Sequence, residues 1–123
     1  MKLVKLLAAS AVLVLGLGLS ACAPSVSPVI TPVVKDAGAL QGATVDLRVG
    51  QVLDINTGDL AVDSYTGVVD EPTVAEFVQG RVDGDTTFNP GVDALAVGTT
   101  KIVLSNSNGG IQDVSFTVKV TAP

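Results

Sequence analysis

The chain has 123 residues, a net charge of −5, one Cys, 3% aromatic residues and neither His nor Trp. Within it, no Ser-His-Asp or Cys-His centre and no His/Cys zinc site can be assembled, and a single Cys closes no disulfide. So few rings argue against base stacking on nucleic acid, and the length suits one small domain.

The first residues have a three-part pattern. Lys2 and Lys5 form a positive start, and an apolar stretch of Leu, Ala, Val and Gly, broken by Ser10, runs from Leu6 to Leu19. Leu19-Ser20-Ala21-Cys22 follows. This is the pattern of a secretory signal, and it is short for a transmembrane span. The tetrapeptide resembles the lipobox of bacterial lipoproteins. The resemblance implies cleavage before Cys22, a diacylglycerol on its sulfur and an acyl chain on its new amino group, with no other cofactor. Two or three such chains anchor a protein stably. Lipidation also accounts for an unpaired Cys in an exported chain. The alternative is an ordinary secretory signal with a coincidental Cys. Ala23, not Asp, follows the Cys, which in that family does not retain a protein at an inner membrane. The expected location is the cell membrane, lipid-anchored, with the domain on the extracytoplasmic side. Loss of residues 1–21 removes Lys2 and Lys5, leaving five cations against twelve acids, ten of them Asp, and a net charge of −7. Such a surface repels phosphates, so nucleic acid is not an expected partner.

Residues 22–43 read as a tether. Pro24, Pro28 and Pro32 favour an extended chain, and Gly38 and Gly42 loosen its end. The alternative is a first edge strand containing Val29, Ile30, Val33 and Val34. Residues 44–123 carry short β patterns. Val45, Leu47 and Val49 alternate with polar residues. After the Gly50-Gln51 turn, Val52 to Asn56 is a strand with Leu53 and Ile55 inward. Thr57-Gly58-Asp59 is a turn, and Leu60 to Thr66 a third strand. Gly67, Asp70 and Pro72 mark a longer loop, followed by a strand from Thr73 to Gln79. Asp83-Gly84-Asp85 is an acidic turn. Asn89-Pro90-Gly91 separates strands at Thr86 to Phe88 and Val92 to Val97. Thr99 to Ser105 and the last strand, with Val114, Phe116, Val118 and Val120 on one face, flank a loop at Asn106 to Gly110. About seven such strands predict an all-β, antiparallel, immunoglobulin-like sandwich.

Val49-Gly50-Gln51, Glu71-Pro72-Thr73-Val74-Ala75, Val92 to Val103 and Val114 to Val120 together resemble the bacterial immunoglobulin-like domains of group 2. The likeness runs from about Val45 to Thr121 and implies the same sandwich. Tyr65 stands nearest the place of that family's core Trp, and the segment from Gly80 to Val92 is longer than usual. Chagasin-type inhibitors of papain-like cysteine proteases share the outline. They use an Asn-Pro-Thr-Thr-Gly loop, a Gly-rich middle loop and an Arg-Pro-aromatic loop. Here Asn56-Thr57-Gly58 lacks the Pro-Thr pair, Gly80 to Asp85 could serve as the middle loop, and Asn106 to Gly110 has no Arg, Pro or aromatic residue.

No catalytic or metal residues are assigned. Asp54 to Asp59 lacks acids at two positions of a calcium loop, including Tyr65 at the twelfth. Asp83 and Asp85 could chelate calcium, but solvated acids on a turn are the simpler reading. Asp63 and Asp70 fall near one face as a carboxylate pair, without an aromatic sugar platform. Lys101 and Lys119 could form isopeptide bonds, though exposed lysines explain them. Loops on a rigid sandwich carry recognition, so the contact candidates are Asp59, Asp70, Glu71, Asp83, Asp85, Asn106 and Asn108. The expected function is a non-catalytic binding or structural module, with the membrane as one partner and an unidentified protein or surface polysaccharide as another. The alternative function is protease inhibition.

Overall fold

The computed structural model describes residues 30–123. The leader, Cys22 and residues 23–29 lie outside them. The described residues contain ten strands: β1 (Val33–Asp36), β2 (Thr44–Arg48), β3 (Val52–Asn56), β4 (Tyr65–Val69), β5 (Ala75–Val78), β6 (Arg81–Asp83), β7 (Thr86–Phe88), β8 (Gly91–Ala94), β9 (Gly98–Asn106) and β10 (Val114–Thr121). Period-two apolar patterns and β-branched residues favour this pleated form over helix.

Two four-stranded sheets, ordered β1-β3-β8-β5 and β2-β10-β9-β4, form the immunoglobulin-like sandwich, and β6-β7 is a separate hairpin. In β10, Val114, Phe116, Val118 and Val120 are buried and alternate with Ser115, Thr117, Lys119 and Thr121. Leu53, Ile55 and Val92 meet them from the first sheet, with Ile102, Leu104 and Tyr65 completing the centre. Each such fully buried side chain contributes about 1.5–3 kcal/mol of transfer free energy. Thr100 is the polar exception on the inner face of β9. Its Oγ1 accepts from the Glu71 N–H at 2.8 Å, so its burial leaves no orphan group.

Four expectations are corrected. First, the tether does not extend to Ala43. β1 pairs in parallel with β3, Val33 against Leu53 through Asp36 against Asn56. A single 3-10 turn, Ala37–Leu40, then crosses to the other sheet with Ala37 and Leu40 buried in the core. Burying Leu40 gives this Gly-containing segment the apolar contact that its composition does not advertise. Second, the sandwich is not wholly antiparallel, because β2 also pairs in parallel with β10. The first two strands thus join different sheets. Third, the third strand is Tyr65–Val69 rather than Leu60 to Thr66, so Gly67 sits inside it. A Cβ on Gly67 would lie 2.6 Å from the Phe77 ring, so close packing, not a loop, requires glycine here. Fourth, β8 ends at Ala94, and residues 95–97 connect to β9.

Strand directions define two ends. The chain enters β1 at a root end, which also holds the β2–β3, β4–β5 and β8–β9 connections and the end of β10. Segments 57–64, 79–90 and 107–113 occupy the opposite, distal end. The buried 3-10 turn predicts that Leu40→Ala lowers unfolding free energy by about 2–5 kcal/mol in urea titration. A change below about 0.5 kcal/mol would place the segment outside the cooperative core.

Candidate functional site

The β1–β2 connection with its 3-10 turn also lies at the distal end, and the other three segments there are tied together by side chains. In segment 57–64, Thr57 Oγ1 donates to the Leu60 carbonyl at 2.8 Å, and Asn56 Oδ1 accepts from the Gly58 N–H at 3.0 Å. These are the local side-chain bonds that favour turns over strand continuation. The Asn106 side chain donates to Ser64 Oγ at 2.9 Å, and the Ser107 N–H donates to the Ser64 carbonyl at 2.8 Å. Gln79 Nε2 donates to the carbonyls of Asp63 (3.0 Å) and Tyr65 (2.6 Å), joining the base of the β6-β7 hairpin to the same segment. Ser64 and Gln79 therefore organise the site although neither stands out in the sequence. Their partners lie 42 and 14 to 16 residues away, so no local motif marks them.

The β6-β7 hairpin is a two-stranded sheet of its own. Arg81 pairs with Phe88 and Asp83 with Thr86 around a two-residue Gly84-Asp85 turn. Gly84 has φ 60°, which suits a tight hairpin turn. Residues 81–89 are all exposed. The Arg81 guanidinium lies 4.1 Å from the Phe88 ring centroid, a cation–π contact that holds an aromatic ring at the surface. Between the 3-10 turn and segment 56–60 lies an open cleft of about 490 Å³, with Asp36, Asn56 and Tyr65 in its wall.

Of the seven contact candidates, Asp59, Asp83, Asp85, Asn106 and Asn108 fall at the distal end. Asp70 and Glu71 do not join them: they follow β4 at the root end, where the Asp70 N–H donates to the Lys101 carbonyl. Asn106 and Asn108 also shape their own loop. Asn106 Oδ1 accepts from the Asn108 N–H at 2.8 Å, and Asn108 Oδ1 accepts from the Gly110 N–H at 3.1 Å.

Asp63 and Asp70 stand beyond opposite ends of β4, so they do not form a carboxylate pair. Asp54 projects from β3 and accepts from Asn89 Nδ2 at 2.9 Å. Among the described residues, no group of three or more His, Cys, Asp or Glu gathers in a metal-holding arrangement. Lys101 and Lys119 are exposed on the outer face of the second sheet.

No family model matches the chain, and no curated protein matches it. Among solved structures, it is similar to the cysteine protease inhibitor EhICP2 from Entamoeba histolytica. That match has 15% identity and a TM-score of 0.50, and covers 77% of this chain and 100% of that one. It is also similar to domains 4 and 5 of the S-layer protein SbsC (20% identity, TM-score 0.37, covering 67% and 48% of the two chains). A third match is amebosin, at 21% identity and TM-score 0.40, covering 76% and 99%. At 15% identity the likeness to EhICP2 is one of fold.

The exposed hairpin is separate from the core. Phe88→Ala is therefore expected to cost no more than about 1 kcal/mol, the scale of an exposed cation–π contact. A loss above about 3 kcal/mol in urea titration would show that the ring supports the sandwich.

Proposed function

We propose that this chain is a lipid-anchored, non-catalytic module of the cell envelope, related to the bacterial immunoglobulin-like domains of group 2, that binds a partner through its distal loops. The observation that carries this reading is the polarity of the fold. The chain enters at the root end, while segments 57–64, 79–90 and 107–113 are cross-linked at the other end. A lipid on Cys22 would leave these loops facing away from the membrane. Asp59, Asp63, Asp83, Asp85 and Asp113 surround this end, and Arg81 is the one cation in its three segments. Like charges discourage acidic partners and opposite charges steer association, so the fitting partner presents cationic groups. It is a protein or a surface polysaccharide with basic substituents.

Inhibition of papain-type proteases is the second reading. It is favoured by the meeting, at one end, of the three segments that correspond to the loops of chagasin-type inhibitors. The fold likeness to EhICP2 covers that inhibitor's whole length. Against it stand the missing Pro-Thr pair after Asn56 and the lack of Arg, Pro and aromatic residues from Asn106 to Gly110.

Two experiments test these readings. Mass spectrometry of the full chain from bacterial membranes should find Cys22 as an acylated N-terminus, and Cys22→Ser should move the chain to the soluble fraction. An unmodified, unanchored wild-type chain contradicts the anchor. In pull-downs from solubilised membranes, the triple variant Asp59→Lys, Asp83→Lys, Asp85→Lys should reduce partner retention by about tenfold or more. Unchanged retention removes the distal end as the binding surface. Inhibition of papain at micromolar or tighter concentration would favour the second reading.

A further inference from the structure

The two outer sheet faces carry opposite charge. On the first sheet, burial of Leu53, Ile55, Val92, Ala94 and Ala75 turns their strand neighbours outward. That outer face presents Asp36, Asp54, Glu76 and Asp93, and no Lys or Arg alternates onto it. On the second sheet, the outward residues include Arg48, Lys101 and Lys119, with Asp46 the one acid within the strands. Register sets Lys119 beside Asp46 and Arg48 beside Thr121, and Asp70 follows just beyond the end of β4. Three of the five cations outside the leader thus share one face of an otherwise acidic domain.

Both faces also expose aliphatic surface. Val34, Val52 and Val78 lie on the acidic face, 62%, 38% and 37% exposed, and Val68, 66% exposed, lies on the basic one beside Val103. An acidic face with valines and a basic face with valines have the composition of two halves of one contact.

We propose that copies of this chain associate face to back, the acidic outer face of β1-β3-β8-β5 on one copy against the basic outer face of β2-β10-β9-β4 on the next. Charge complementarity within a single chain selects a second copy as the occupant. Each contact uses unlike surfaces, so it is heterologous and leaves one free face of each kind, which extends to a row. Both faces run parallel to the root–distal axis, so copies can stack with their root ends on one side. A lipid at Cys22 would concentrate and align them, but the contact does not require it. Four strands about 4.8 Å apart, with about 17 Å of chain each, make a small face. It falls below the roughly 800 Å² per partner of a standard interface, so association is weak and concentration-dependent.

Sedimentation of the full chain, over a concentration series in low and high salt, tests this. The expected result is self-association at low salt that is lost near 1 M salt, where the Debye length falls to about 3 Å. Reversing the basic face (Lys101→Glu, Lys119→Glu) or the acidic face (Glu76→Lys, Asp93→Lys) should weaken self-association by about tenfold or more. Mixing the two variants should restore it, because each then meets a complementary face. Thermal melts confirm that the variants fold, and the salt series on the wild type needs no variant. A wild type that stays monomeric at the highest concentration overturns the proposal. So does association indifferent to salt and charge reversal, or a mixture that fails to recover.

Discussion

The arrangement of the molecule depends on how its first nineteen described residues, 30–48, are held. β1 joins one sheet through β3, and β2 joins the other through β10, with Leu40 buried between them. Further bonds fix this clamp. The Gly42 N–H donates to the Ser115 carbonyl at 2.8 Å, and Gln41 Oε1 accepts from the Ser115 N–H at 3.0 Å. Gln51 Nε2 donates to the Thr31 carbonyl at 2.8 Å. Parallel pairing to β3 leaves β1 one direction, with its start at the root end. The direction of every later strand then assigns each loop to one end or the other. The clamp also sets the polarity between the point where the chain arrives and the loops available for recognition.

Much of this was legible wherever local chemistry and burial agree. β10 alternates over eight residues, and its inward set is buried as the period-two reading requires. Leu53 and Ile55 in β3, and the turns around Gly84 and Asn108, fall where their residue types place them. The failures share a cause, which is partners distant in sequence. β1 is four residues between Pro32 and Gly38, and its strand character comes from pairing with residues about twenty positions on. The shift of β4 has the same origin. Ala61-Val62 reads as apolar strand and Gly67 as a breaker, yet Gly67 is needed beneath the Phe77 ring. Five of the seven contact candidates shared an end because Asp, Asn and Gly collect in loops. Asp70 and Glu71 were equally loop-like, and only strand direction separates them from the rest.

The proposed function rests on how charge is distributed over the sandwich. The distal end is acidic and bound into one unit by Ser64, Gln79 and Asn106, which limits the ordering cost of presenting three loops to a partner. The sheet faces differ in sign, and that difference is the basis of the proposed contact between copies. The proposed recognition at the distal end and the proposed contact between copies therefore use different surfaces of the sandwich.

The central claim, that the distal loops face away from the membrane while residues 95–97 lie at the root, is open to direct measurement. With Cys22 acylated, the chain has no free thiol, so Asp85→Cys and Val97→Cys each provide a unique site for a fluorophore. Both positions are exposed. On lipid vesicles carrying a quencher at the headgroup, the account predicts strong quenching at residue 97 and weak quenching at residue 85. Equal quenching, or stronger quenching at residue 85, would contradict it.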